Sequence, residues 1–326
     1  MKLKTVALAG LAAAAVALPV TLTLSAQAED TGDPGTKAGE FYVDPDNNAA
    51  TWVKENGDNP NAEKIKTSIA DNVVAKWFGD WENIPVSEYV ANAAEAGGAP
   101  VLVAYNMYQR DCGGQSGGGA DSVEEYKTWI ADFAKGVGDS DAYVILEPDA
   151  LSQMVAGNCD MDVAARKELL AYGVDQFATN APNAKVYLDA GNYSWPGDAG
   201  AIADALKDAG VEKIRGFAVN VSNHYKTDQS DEKAKQILDA LGTESHYVVD
   251  TSRNGSGKTQ DGEDSWCNPK GATLGETSTV GEGAQDARIW IKVPGDSDGD
   301  CGYGQGVPAG QFSEKLAMGL ITGEYP

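Results

Sequence analysis

Acidic residues recur directly after short apolar runs of this chain, where strands of a parallel sheet would end. These acids are Asp111, Glu147, Asp149, Asp189, Asp250, Asp296 and Asp298. The carboxyl ends of parallel strands lie at one rim of a barrel, so the acids are expected to converge. Convergent carboxylates raise one another's pKa, and one of them can stay protonated near neutral pH. A protonated acid beside an ionised one is what hydrolysis of a glycosidic bond requires.

The alternative for any one of these aspartates is a turn or helix-cap role, which is common after a strand. Tryptophans are the second indication of sugar chemistry, because an indole face stacks on a sugar ring while its N–H stays free. Four tryptophans stand among polar, loop-like neighbours: Trp77, Trp81, Trp195 and Trp266. Trp129 and Trp290 fit a helix and a strand of the core instead. For each of the four, core packing remains an open alternative.

Three short motifs suggest other chemistries, and each departs from its pattern. Residues 114–118 match G-x-S-x-G, but no strand directly precedes them. Residues 252–259 resemble a P-loop but begin with Ser252. Residues 296–300 resemble the start of a calcium loop, but Cys301 stands where the glycine is needed. No metal ion or cofactor is therefore expected, although a metal-dependent phosphoesterase using the aspartates is a third-ranked alternative.

The composition excludes several classes of protein. The 326 residues include 49 acidic and 25 basic side chains, a formal net charge of -24 that disfavours nucleic acid as a partner. Hydrophobic residues make up 42%, enough for a folded core. The histidines are His224 and His246 alone, which disfavours a histidine-rich zinc site.

The N-terminus predicts export. Two lysines, an apolar run and a small-residue ending at Ala28 indicate a signal peptide over residues 1–28, with a membrane anchor as the alternative. Residues 29–39 are polar and predict a short lead-in, and residues 40–326 show no second linker. We therefore expect one secreted, extracellular catalytic domain that is a monomer and is free of the membrane once the signal is removed.

Four cysteines remain in the predicted mature chain: Cys112, Cys159, Cys267 and Cys301. An even number in an exported protein indicates two disulfides, for which three pairings exist. Proximity along the chain favours joining the first two and the last two. A Cys₄ zinc site is disfavoured because no C-x-x-C pair is present.

Strand-like and helix-like segments alternate along the domain. The seven predicted strands are Glu40–Val43, Pro100–Tyr105, Ala142–Leu146, Lys185–Leu188, Gly216–Val221, His246–Val249 and Arg288–Val293. The predicted helices include Ser122–Gly136, Val163–Thr179, Gly200–Ala209 and Ser230–Leu241. This alternation predicts an α/β fold with a parallel sheet. A TIM-like barrel is favoured over an open sheet because functional-looking residues follow almost every strand.

Two stretches resemble the signatures of glycoside hydrolase family 6, the inverting cellulases. The first runs from Val103 through Asp111 to Gly119, and the second runs from Val144 to Leu151 and contains Asp149. Further matches follow in the family's order, beginning at Asp189, Asn220, Asp250, Trp266 and Trp290. The resemblance covers about residues 41–310.

The resemblance implies a distorted seven-stranded α/β barrel, two local disulfides and β-1,4-glucan (cellulose and cello-oligosaccharides) as substrate. Carried over by position, it implies Asp149 as the general acid, Asp111 as the residue that keeps Asp149 protonated and orders water, and Asp298 as the candidate base. Tyr105 would press on the sugar at the cleavage point. Positions that match substrate-binding residues are Trp77, Asp189, Trp195, Asn223, Trp266, Lys292 and Asp296.

This sequence departs from the family pattern at Tyr108 (usually Pro), Asn192 (commonly His) and Asp296 (commonly Glu). These differences concern substrate contacts more than the reaction type. An endo-acting enzyme is expected, because the segment from Asn268 to Ala287 is too short to roof the site in the way the loops of exo-acting members do. Within it, the Gly, Thr and Ser content of Gly271–Gly283 suits a mobile rim better than a rigid roof. An exo-acting cellobiohydrolase and a non-catalytic glucan-binding protein remain the alternatives.

Overall fold

Short strands that are buried on both faces alternate with helices along most of the chain. The structure is a computed structural model that describes residues 36–37, 41–82, 84–157, 159–262 and 265–326. The predicted signal peptide (1–28) lies outside the described residues, and so does the predicted lead-in (29–39) apart from Thr36–Lys37. The predicted division of the chain into domains accordingly stays a prediction.

The described residues contain ten strands, eight of which form one sheet. The strands are β1 (Thr36–Lys37), β2 (Phe41–Tyr42), β3 (Lys76–Phe78), β4 (Val101–Ala104), β5 (Tyr143–Leu146), β6 (Lys185–Asp189), β7 (Gly216–Val219), β8 (His246–Asp250), β9 (Thr279–Val280) and β10 (Gln285–Ile289). The main sheet has the order β3-β4-β5-β6-β7-β8-β10-β9, and β1 pairs with β2 separately. Seven of its strands are parallel, and β9 is antiparallel to β10 at the edge. The predicted α/β barrel of seven parallel strands is confirmed.

Nine α-helices lie among the described residues. They are α1 (Asn48–Glu55), α2 (Ala62–Ile65), α3 (Val86–Glu95), α4 (Val123–Val137), α5 (Ala150–Ala156), α6 (Val163–Asn180), α7 (Ala199–Ala209), α8 (Thr227–Leu241) and α9 (Glu314–Thr322). The four predicted helices correspond to α4, α6, α7 and α8. Three of these begin at a polar cap, because Ser122, Asp162 and Asp198 accept backbone N–H groups of the first turn. None of the described helices is long and apolar enough to span a membrane.

For one of the seven barrel strands, the prediction chose the wrong segment of the chain. The segment predicted as Glu40–Val43 contributes β2, which pairs with β1 and forms only an isolated bridge from Phe41 to Ala99. The first strand of the barrel is instead β3, whose three residues include a lysine and a tryptophan and lack an apolar run. The last parallel strand, β10, begins at Gln285, three residues before the predicted start.

Strands β4, β5 and β7 are apolar throughout because both faces of the sheet are covered there. In β5, Val144 and Leu146 pack against the surrounding helices, while Tyr143 and Ile145 point into the barrel interior. The barrel is distorted where β3 and β10 fail to pair. A backbone hydrogen bond from Ala75 N–H to Trp290 O (2.9 Å) spans this gap. The carboxyl ends of the parallel strands therefore meet around one rim that is open on the side between β3 and β10.

The two disulfides join Cys112 to Cys159 and Cys267 to Cys301, with Cα atoms 6.0 Å apart in each pair. The predicted pairing is confirmed. The first disulfide ties the loop after β4 to the segment after α5. The second joins the loop after β8 to the loop after β10, so both disulfides brace loops at the carboxyl-end rim.

Candidate active site

The aspartates predicted to converge do meet at the carboxyl-end rim. Asp149 follows β5 and donates its backbone N–H to Asp189 Oδ2 at 2.8 Å, at the end of β6. Asp111, Asp189 and Asp298 are all close enough to Asp149 to shift its pKa. Carboxyls from the loops after β4, β5 and β10 and from the end of β6 therefore form one cluster.

Asp149 occupies a sharp turn between β5 and α5. Its φ of 67° lies in the left-handed region, and Glu147 two residues earlier has a φ of 50°. Such backbone is uncommon for residues other than glycine and is typical of functional sites. The turn places the Asp149 carboxyl, which is half-buried, at the mouth of the barrel rather than along the helix.

Burial raises the pKa of Asp149 well above its usual value, and the negative charges of Asp189, Asp111 and Asp298 raise it further. The Lys292 ammonium acts in the opposite direction with a smaller effect. Burial also raises the pKa of Asp189, to about 7, with a further contribution from Asp250. Asp149 is therefore the carboxyl of this cluster that best retains a proton.

Asp111 lies in the loop that follows β4, next to the first disulfide. Its Oδ2 accepts the Ser116 backbone N–H at 2.8 Å, and its Oδ1 accepts a hydrogen bond from Gln153 Nε2 at 3.2 Å. Burial raises the pKa of Asp111, although the Ser116 and Gln153 hydrogen bonds lower it. Gln153 belongs to α5, so Asp111 is joined directly to the helix that begins at Asp149.

Asp298 is buried, with both carboxylate oxygens close to cations. Arg253 Nη1 donates to Oδ2 at 2.8 Å, and Lys292 Nζ lies 3.6 Å from Oδ1. The Asn268 backbone N–H also donates to Oδ2 at 2.9 Å. Burial alone would raise the pKa of Asp298, but Arg253 and Lys292 lower it to about 2. This carboxyl is ionised at any pH near neutral.

Two other acids of the predicted series hold loops together. Glu147 is buried and accepts the backbone N–H groups of Asn106 and Met107. Asp250 is fully buried and accepts four backbone N–H groups, those of Ser222, Ser252, Ile291 and Lys292. Glu147 and Asp250 therefore hold backbone segments of the rim together and take no part in the carboxyl cluster around Asp149.

A groove of about 450 Å³ lies on the open side of the rim. It is lined by Trp77, Trp81, Tyr105, Lys292 and Asp296 together with polar residues of several loops. The rings of Trp77 and Tyr105 meet edge to face with centroids 5.2 Å apart. Trp81 is 47% exposed, and the Arg110 guanidinium lies 4.8 Å from its ring centroid. This combination of aromatic faces and polar groups suits a sugar chain.

Asp296 faces the groove from the loop after β10. Asn48 Nδ2 donates to its Oδ2 at 2.7 Å, while Oδ1 has no protein partner among the described residues. Burial raises the pKa of Asp296 to about 7, against the lowering effect of Lys292. An unpaired buried oxygen beside a groove is suited to accept a hydroxyl hydrogen bond from a ligand.

Sequence reasoning missed two segments that line the groove, one at Asp44–Asn48 and one at Pro308–Gly310. Neither follows a strand of the main sheet, and neither contains an aromatic residue. The Asn47 side chain caps α1 through the Ala50 N–H, so Asp-Pro-Asp-Asn resembles an ordinary helix start in the sequence. No signal in the sequence marked these segments as part of a site.

Four predicted binding residues lie outside this groove, and one of them is Asp189, described above. Trp195 is half-buried in the loop after β6, where its backbone N–H donates to Asn192 Oδ1 at 3.1 Å. Asn223 is half-buried in the loop after β7. Trp266 is 41% exposed, next to the second disulfide. The parts of the chain that the structure describes contain no cluster of three or more His, Cys, Asp or Glu arranged to hold a metal ion.

A curled parallel sheet with a carboxylate cluster and an aromatic groove at its carboxyl-end rim defines a glycoside hydrolase. The profile of "Glycosyl hydrolases family 6" matches residues 36–323, and the chain belongs to this family. Endoglucanase 1 of Streptomyces halstedii is 41% identical over 321 residues, covering 96% of this chain and 98% of the relative. Endoglucanase-6B of Humicola insolens is 32% identical, covering 82% of this chain and 90% of the relative.

Solved structures share the architecture. The endoglucanase Cel6 from Mycobacterium tuberculosis, in complex with methyl-cellobiosyl-4-deoxy-4-thio-β-D-cellobioside, superposes with a TM-score of 0.80 at 37% identity, covering 90% of this chain and 99% of that one. The catalytic core of the cellobiohydrolase Cel6A from Chaetomium thermophilum has a TM-score of 0.74 at 24% identity and shares the fold. An endoglucanase and a cellobiohydrolase therefore share this fold.

Proposed function

We propose that this chain is a secreted endo-β-1,4-glucanase that hydrolyses internal bonds of cellulose with inversion at the anomeric carbon. The proposal depends mainly on one observation, which is that two carboxyls with opposite pKa shifts lie at the same rim. The pKa of Asp149 is raised, whereas Asp298 is ionised. The family membership and the names of the relatives support the substrate class and the endo mode.

Asp149 is the proposed general acid. Its raised pKa favours the protonated form, which can donate a proton to the glycosidic oxygen as the bond breaks. Asp111 supports this role through its negative charge and through Gln153, which joins it to α5. Asp111 is also the proposed residue that orders the attacking water, together with the Ser116 segment, and that accepts the proton this water loses as it bonds to the anomeric carbon.

Asp298, the candidate base, is held by Arg253 and Lys292. A carboxylate with a pKa of about 2 accepts a proton weakly, so these contacts favour an electrostatic role. In that role its negative charge stabilises the positive charge that develops on the sugar ring in the transition state. Its other proposed task is to hold Lys292 at the groove.

Tyr105 and Trp77 are the proposed contacts of the sugar at the cleavage point. Their rings line the groove edge to face, and Trp77 Nε1 donates to Ile291 O at 2.8 Å, which fixes the indole across the open side of the barrel. Lys292, Asp296 and the exposed Trp81 line the same groove, which supports them as the proposed contacts of the next sugars.

The endo mode has support in the segment between the two cysteines of the second disulfide. Leu274 N–H donates to Leu320 O in α9, and Thr279–Val280 forms the edge strand β9, so this segment packs along the side of the barrel. A β-carbon at Gly275 would lie 2.1 Å from Thr251 O, so the segment is tightly packed where a mobile rim was expected. A segment used in this way is not available to roof the groove.

Secretion and a monomeric state belong to the same proposal. The two disulfides fit an oxidising, extracytoplasmic compartment, as does the signal-like N-terminal sequence. Mass determination of the protein recovered from culture medium tests cleavage after Ala28, and size-exclusion chromatography with light scattering tests the monomer.

The deciding experiment follows hydrolysis of cello-oligosaccharides by proton NMR. Inversion gives the α-anomer first, and the β-anomer as first product would contradict the mechanism. On soluble cellulose, viscosity should fall steeply while few reducing ends have formed. Slow viscosity loss with nearly pure cellobiose would indicate exo action, absence of hydrolysis with retained binding would indicate a glucan-binding protein, and inactivation by a chelator would indicate the phosphoesterase alternative.

A further inference from the structure

Two tyrosines that match no predicted site residue lie together on the loops after β6 and β7. The rings of Tyr193 and Tyr225 have centroids 5.6 Å apart at an interplanar angle of 47°. The hydroxyl groups of Tyr225 and Ser194 are hydrogen-bonded at 2.5 Å. Both rings are partly exposed, and Ser194 is exposed. The two loops thus present one aromatic surface with hydroxyl groups at its edge.

Buried amides hold this surface in place. Asn192 Oδ1 accepts the backbone N–H groups of Ser194 and Trp195. Asn220 Oδ1 accepts the Tyr225 N–H, and the side chains of Asn220 and Asn254 both donate to Tyr225 O. Because these amides fix the backbone on both sides, little ordering is needed when a ligand binds, and that favours affinity.

The surface lies on the side of the rim away from the groove. The groove opens between β3 and β10, the two ends of the parallel series, whereas β6 and β7 lie well inside that series. Asp149 contacts the β6 side directly through Asp189. A general acid lies beside the oxygen that departs, so the leaving part of the glucan extends toward the loops after β6 and β7.

We propose that Tyr193, Tyr225 and Ser194 form an additional binding site for the leaving part of the glucan, beside Trp195, whose position matches a substrate-binding residue of the family. The rings stack on glucose faces and the hydroxyls bond to sugar hydroxyls. The inference rests on the proposed function and deepens it, since a site further from the cleaved bond is reached only by longer glucan chains.

The test compares short and long substrates. Tyr193→Ala and Tyr225→Ala are assayed on cellotetraose and cellohexaose, with products separated by chromatography. We expect kcat/KM on cellohexaose to fall roughly three- to tenfold for each variant, the range expected for loss of one aromatic contact. On cellotetraose the change stays below about twofold. Equal losses on both substrates, or no loss on either, would overturn the proposal.

Matched variants separate binding from folding. Tyr172→Ala removes a half-buried tyrosine on α6, on the outer helical layer, where the Lys127 ammonium lies 5.7 Å from the ring centroid. This variant should keep the wild-type ratio of the two kcat/KM values. Tyr225→Phe should retain most of the cellohexaose preference because it keeps the ring. If Tyr225→Ala lowers the melting temperature too far for assay, Tyr193→Ala decides.

A binding measurement keeps this inference distinct from the proposed function. Calorimetry with cellohexaose is made on Asp149→Asn, with and without Tyr193→Ala, so that no turnover is needed. A three- to tenfold weaker affinity with Tyr193→Ala supports the site even if catalysis follows another mechanism. Unchanged affinity contradicts the site, whereas a wild-type enzyme that leaves both oligosaccharides intact contradicts the proposed function.

Discussion

Two buried carboxyls on different sides of the carboxyl-end rim, Asp149 and Asp298, have pKa values shifted in opposite directions. On the β5–β6 side, Asp189 Oδ2 accepts the backbone N–H of Asp149, and burial raises the pKa of both residues. On the β8–β10 side, Arg253 and Lys292 surround Asp298 and lower its pKa to about 2. The residue type is the same, so the presence of a cation within contact distance decides which carboxyl holds a proton.

The strongest test of this division is Asp149→Asn, which removes the acid and keeps the shape of the side chain. We expect kcat on soluble cellulose to fall on the order of 10²-fold or more, because the leaving oxygen no longer receives a proton. Reducing-sugar release measures the loss. Aryl cellobiosides with good leaving groups need less protonation and should lose less, and an equal loss on both substrates would remove Asp149 from the acid role.

The second test removes the cation from the β8–β10 side. Arg253→Met leaves a buried Asp298 carboxylate without its main partner, so we expect a loss of about 3–5 kcal/mol in the free energy of unfolding at pH 7. The pKa of Asp298 is depressed, so its pairing stabilises the fold above the pKa of the unfolded chain, and this stability disappears as pH falls through about 2. Urea unfolding should therefore show a difference between wild type and variant that shrinks from pH 4 to pH 2.

Arg215→Met is the matched control, because Arg215 pairs with Asp286 away from the cleft and is 39% exposed. The Arg215 guanidinium is partly screened by solvent, so this pair should contribute less than the buried Arg253–Asp298 pair, about 1 kcal/mol or less. If both variants lose the same stability at pH 7, the burial of Asp298 and Arg253 is not what makes their pair strong.

The third test lowers the pKa of Asp149 by removing a neighbouring negative charge on the β5–β6 side. Asp189→Asn removes the negative charge next to Asp149, while its amide oxygen can still accept the Asp149 N–H. Burial still raises the pKa of Asp149, but without the Asp189 charge the pKa is lower than in the wild type. Asp149 therefore loses its proton at a lower pH, and the alkaline limb of the kcat profile moves toward acid. An unmoved limb would mean that another group controls it.

Sequence reasoning located the acids but not the cation pairing that distinguishes them. Asp149 and Asp298 follow strands, and a strand end is visible in the apolar pattern. The Arg253–Asp298 ion pair joins residues 45 positions apart, which no local pattern reveals. Strand β3 was missed for a related reason, because Lys76 and Trp77 face the groove and interrupt the apolar run. Local signals predicted the elements, while the contacts between distant loops had to come from the structure.

The smallest effect on activity is expected for Lys233, a buried lysine on the β6 side whose ammonium bonds to backbone carbonyl oxygens. Lys233 in α8 is 1% exposed, and its Nζ donates to Pro196 O at 2.6 Å and to Gly197 O at 3.2 Å, which fixes the loop that carries Trp195. Lys233→Met leaves these carbonyl oxygens without their donor, so the loop should loosen. We expect KM on soluble cellulose to rise about two- to threefold with kcat nearly unchanged, since a loosened binding loop costs less than about 1 kcal/mol.

The control for this variant is Lys207→Met. Lys207 Nζ also donates to a backbone carbonyl, Ala240 O at 3.0 Å, but it joins α7 to α8 on an exposed surface. Melting temperatures correct for any difference in stability, and steady-state kinetics on soluble cellulose give the KM of each variant. A raised KM for Lys233→Met alone ties the lysine to Trp195. Equal KM values for the two variants would mean that Lys233 joins α8 to the loop without affecting substrate binding. The β6 side of the rim would then keep its geometry through Asn192 and Asp189, without help from a cation.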